Sequence, residues 1–80
     1  TDERIDEVLR RTVEPKLAEL RRGQRAGLIT ADIPAPTLLR MLTELARTTA
    51  THAAQRSRGP ERIAAHRAAT VLAARRLIAP

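Results

Sequence analysis

The tightest constraint on this chain is the material it has for a core: among 80 residues there is no Phe, Tyr, Trp or Cys. Aromatic side chains supply the largest buried areas in most small proteins, about 150–250 Å² each. A chain this short buries only about 60% of its unfolded surface, and so small a core rarely contributes more than about 3–5 kcal/mol without a staple. Without Cys there is no disulfide or thiolate staple. Burial against a second body is the remaining route to stability, either a partner subunit or a further part of the same chain. The chain also starts at Thr1 and enters a helical pattern at once, so it reads as a piece of something longer.

Proline and glycine divide the sequence into helical runs. Residues 2–26 carry Ile5, Leu9, Val13, Leu17, Leu20 and Gln24 at three- and four-residue spacing, one drifting stripe of a helix. Asp2, Glu3, Asp6 and Glu7 lie at its start, where anions suit the positive end of the helix dipole. Pro15 interrupts the run and predicts a kink, or a new helix with Pro15 in its first turn. Gly27 is the predicted helix stop: after Arg21, Arg22 and Arg25 it can take the left-handed cap conformation, with Leu28 packing back.

A connector at 28–34 leads into Pro34-Ala35-Pro36, which launches a third helix running to about Arg56. Its apolar residues, from Leu38 to Ala53, cover about half the circumference, more than the single stripe of a surface helix. Helix three therefore buries two faces, one of them against a second body. Ser57-Arg58-Gly59-Pro60 reads as a turn, and Glu61 opens a last helix rich in Ala around nearly its whole circumference.

Charge and chemistry narrow the function classes. Of fifteen cations only Lys16 is Lys; residues 1–40 carry 8 cations and 7 anions and residues 41–80 carry 7 and 2, giving +1 and +5 of the total +6. A basic half suits an anionic partner, but no aromatic is present to stack on bases and there is no dense basic run. His52 and His66 fall on different helices with no Cys to join them, which is poor material for a metal site. His52 reads as an interface or surface residue, and His66 as a solvated one. Ser57 is the sole Ser and no carboxylate has an evident partner, so an enzyme is not expected, nor any cofactor. No apolar run approaches the roughly 20 residues that cross a bilayer, and the expected setting is cytoplasmic and not membrane-bound.

The segment Gly23-Gln24-x-x-Gly27-x-Ile29-x-x-Asp32, followed by a proline-launched amphipathic helix and a second long helix, resembles the TetR family of transcriptional regulators. The similar part is the C-terminal region of that family's regulatory domain. Asp32 matches an acidic position, while Pro34 stands where a capping residue is common. The resemblance implies an all-α fold, an antiparallel bundle of three to four helices whose last two form a four-helix bundle between the subunits of a homodimer. It implies that residues 1–80 are the C-terminal part of an effector-binding and dimerisation domain. DNA would then be contacted only through an N-terminal helix-turn-helix absent from this chain, and a small-molecule effector would bind the complete domain.

On that footing the dimer interface is expected at Met41, Leu45, Thr49 and His52 of helix three and at Ile63, Arg67, Thr70, Val71, Ala74 and Leu77 of the last helix. Leu38 and Leu42 are expected on the effector-pocket wall. The alternative is a stand-alone basic helical module that binds nucleic acid or another protein.

Overall fold

The structure, a computed structural model, describes residues 2–55 and 59–80. Arg56, Ser57 and Arg58, and with them most of the expected turn before the last helix, lie outside the described residues, as does the side chain of Leu9. The fold is all-α, and the described residues form four helices: α1 (Asp2–Thr12), α2 (Glu14–Arg25), α3 (Ala35–Ala53) and α4 (Pro60–Ile78).

The helical run expected over 2–26 is two helices. Val13 caps the start of α2 and Pro15 occupies its first turn, where a missing N–H costs nothing. The Leu17 N–H still reaches the Val13 carbonyl at 3.0 Å. The apolar stripe survives the junction, because Val13, Leu17, Leu20 and Gln24 are all half-buried. On α1, by contrast, Ile5 and Val8 are more than half exposed.

Gly27 ends α2 with φ +73°. Its N–H donates to the Gln24 carbonyl at 3.2 Å and the Leu28 N–H to the Gly23 carbonyl at 2.9 Å, the paired bonds of a Schellman cap. The apolar contact of this cap differs from expectation. Leu28 is 73% exposed, and Ile29 instead packs onto α2, so closely that a Cβ at Gly23 would stand 3.2 Å from Ile29 Cγ1.

Pro34 is the residue that caps α3, with extended backbone and no side-chain bond; the Leu38 N–H donates to its carbonyl at 2.9 Å. Asp32 contributes its N–H to Thr30 Oγ1 at 3.1 Å, so it serves the connector rather than the helix start. The third helix ends at Ala53, short of Arg56, where the Ala54 N–H closes on the Ala50 carbonyl.

Helix contacts run in chain order, α1 with α2, α2 with α3 and α3 with α4. Among the described residues no other pair of helices packs together to add a second layer, and the dimensions are 39 × 38 × 13 Å. Among the described residues the buried core is correspondingly small: Ala35, Leu38 and, as its polar member, Thr30. Helical domains normally bury their apolar stripes between two layers. This chain presents one.

Candidate functional site

Hydrogen bonds to α2 and to α4 hold the connector between α2 and α3. Gln24 Nε2 donates to the carbonyls of Thr30 at 3.1 Å and Ile33 at 2.8 Å. The buried Thr30 donates its N–H to the carbonyl of Ile78, at 2.8 Å, the last residue of α4. Gln24 thus ties the connector to α2 while Thr30 ties it to the far end of the chain. Periodicity placed Gln24 in the apolar stripe; its amide is a clamp.

Two apolar grooves flank α3. The first runs between α2, the connector and α3, has a volume of about 520 Å³ and is lined by Pro15, Lys16, Glu19, Leu20, Gly23, Leu28, Ile29, Leu39 and Leu42. The second, about 510 Å³, lies between α3 and α4 and is lined by Arg40, Met41, Glu44, Leu45, Thr48, Ala73 and Leu77. Successive residues turn by about 100° on a helix. Leu39 and Leu42 therefore lie on one flank of α3, and Met41, Glu44 and Thr48 on the other. Apolar residues of α3 thus face a groove on each flank of the helix.

A polar hollow continues the second groove toward the C-terminal end of α3, lined by Arg47, Thr48, Thr51, His52, Gln55 and His66. Within it the two histidine rings stack, centroids 4.1 Å apart and planes 6° from parallel. His66 is half-buried and its Nε2 has neither water access nor a hydrogen-bond partner among the described residues. The expectation that His66 is solvated is therefore corrected. His52, fourteen positions earlier in sequence, supplies its neighbour, which a reading of each helix alone could not show. No group of three or more His, Cys, Asp or Glu side chains that could hold a metal ion occurs among the described residues.

A family model described as the tetracyclin repressor-like C-terminal domain matches residues 1–76. The chain belongs to this family. Domains of this kind are parts of transcriptional regulators. No curated protein and no solved structure matches the chain.

The expected interface residues of this TetR-like domain fall into two groups. Leu45, Thr49, His52, Ile63, Thr70, Ala74 and Leu77 are half-buried. On α4 these positions recur at three- and four-residue spacing and so share one face, and α3 is the helix against which α4 packs. That face forms the seam inside the chain, with Leu45 and Leu77 also reaching the α3–α4 groove. Met41, Arg67 and Val71 are exposed. Of the expected pocket-wall pair, Leu42 lines the α2–α3 groove, whereas Leu38 has no exposed surface and is the centre of the core. Leu39, the next residue, lines that groove beside Leu42.

No helix among the described residues is long and apolar enough to cross a membrane.

Proposed function

We propose that this TetR-like domain is the dimerisation and effector-binding portion of a ligand-responsive transcriptional repressor. A second copy covers the α3–α4 groove, a small molecule lies on the α2–α3 groove, and DNA is contacted by an N-terminal domain outside these residues. The setting is cytoplasmic. The observation that carries the reading is the pair of apolar grooves on opposite flanks of α3, in a chain that buries almost no apolar side chain by itself.

The arrangement gives α3 a role in coupling. A ligand against Leu39 and Leu42 bears on one flank of α3, and the partner subunit meets Met41 and Leu45 on the other. A ligand changes an equilibrium only through different contacts with its two states. Here a small shift or rotation of α3 would alter both contact sets at once. The bond from Thr30 to Ile78 carries the connector and the end of α4 along with it.

Sedimentation equilibrium over a range of concentrations, with and without a short DNA duplex, tests this. The expected result is a dimer that ignores DNA and is converted to monomer by Met41→Glu, a half-exposed position whose change leaves the core intact. A folded monomer with salt-dependent DNA affinity would overturn it in favour of the basic module, since phosphate contacts release counterions.

A further inference from the structure

We infer that the ligand class of the α2–α3 groove is an amphipathic monoanion, an aliphatic carboxylate, whose chain lies along Leu20, Ile29, Leu39 and Leu42 and whose carboxylate meets the ammonium of Lys16. This rests on the reading of that groove as the effector wall and adds to it the chemistry of the occupant.

The lining decides the body of the ligand. Every residue reaching the groove from α3 and the connector is aliphatic, and from α2 only Lys16 and Glu19 are polar. Ligand sites usually combine an apolar lining with a few placed polar groups, in volumes of about 300–1,000 Å³. With no amide, hydroxyl or ring nitrogen among its lining side chains, the groove has nothing to satisfy a ligand rich in hydrogen-bonding groups. Such a ligand would lose water contacts without replacement. A hydrocarbon chain loses none.

The rim decides the head. Glu19 and Lys16 are the two charges there, and they are not equivalent. Glu19 is engaged by Arg22, whose Nη1 stands 2.6 Å from its Oε1. Lys16, the sole lysine of the chain, has no ion-pair or hydrogen-bond partner among the described residues. The rim therefore offers one unneutralised positive charge and one neutralised negative charge. An ammonium is a compact point charge on a flexible stem, suited to a single carboxylate and free to follow it along the groove edge. Leu28, 73% exposed, also lines the groove and adds apolar surface for a bound chain.

The test is titration calorimetry of the protein with decanoate and, separately, decanol, both below their aggregation concentrations and at low salt. The two share a chain and differ in the charge of the head. Decanoate is expected to bind about threefold more tightly than decanol, the size of effect that an exposed ion pair supports. Lys16→Gln, at an exposed position, should remove that difference. Leu28→Glu, equally harmless to the core, should weaken both ligands. Equal affinities in the unaltered protein, together with weakening of both by Leu28→Glu, would overturn the carboxylate assignment and leave the groove reading standing. Binding of neither ligand, or binding of both that Leu28→Glu does not touch, would overturn the two together.

Discussion

Gln24 shows how much of the connector hangs on single residues. Its amide nitrogen satisfies two carbonyls, six and nine positions further on, in a segment whose Thr30 is buried. Leaving a buried acceptor without a partner costs about 1–3 kcal/mol. Gln24→Met, which keeps the volume and removes the donor, should lower stability by about that amount in urea unfolding. Gln24→Glu should be worse, because a carboxylate cannot donate and would face two carbonyl oxygens. Gly27 makes a different kind of prediction. A Cβ there would meet nothing within 4 Å, so space is free, but φ is +73°. Gly27→Ala should therefore destabilise by about 1–2 kcal/mol through backbone strain alone, with Gly27→Asn falling in between, and the loss should appear as a lower urea midpoint. Gly27 was readable from sequence because its role is local: a glycine after a basic turn stops a helix. Gln24 was not, since spacing placed it on the apolar stripe and nothing in a helical period says that a side chain at the stripe's end reaches across to another segment.

At the scale of the helices, element types and order were readable and partner faces were not. Proline at 15, 34, 36 and 60 marks each helix start from α2 onward. The broad apolar arc of α3 spans the flanks of both grooves, yet it cannot say which residue sits between them. That residue is Leu38, with Ala35 one turn earlier, and both are buried. Leu38→Ala should cost about 2–5 kcal/mol, the range for a core leucine, read by circular dichroism during thermal unfolding. The histidine stack is the plainest case of what one helix cannot reveal. His52 and His66 meet because the α3–α4 hairpin brings their turns together, and the seam then shields the Nε2 of His66. Replacing an unsatisfied buried polar group by an apolar one of similar shape is nearly neutral or stabilising. His66→Leu is therefore expected to hold or raise the thermal midpoint. A loss of several degrees would mean that the ring meets a polar partner in the assembled protein.

The whole molecule exposes more than its mass warrants. Its accessible surface is 6420 Å², roughly a third above the value of about 4,800 Å² for a compact monomer of this mass. Its radius of gyration is 15.4 Å, against about 12 Å for a compact domain of this length. The excess surface, about 1,600 Å², exceeds the roughly 800 Å² that each partner gives to a standard interface. One interface therefore leaves area to spare for a second covered surface, consistent with grooves on both flanks of α3. Composition pointed the same way, since a chain without aromatic residues has to find burial elsewhere. It could not place the surface, because an arc of leucines on α3 fits a closed bundle and an open layer equally well. The layer makes a prediction that a closed bundle does not. If the second copy supplies the missing cover, folding and association are one event, and stability follows protomer concentration by mass action. The thermal midpoint should fall with each tenfold dilution, and Met41→Glu should start from a lower midpoint and lose most of that dependence. A midpoint that stays constant across a hundredfold range of concentration would mean that the open face is covered from within the same chain, and would move the α3–α4 groove from the subunit interface to the interior of a larger domain.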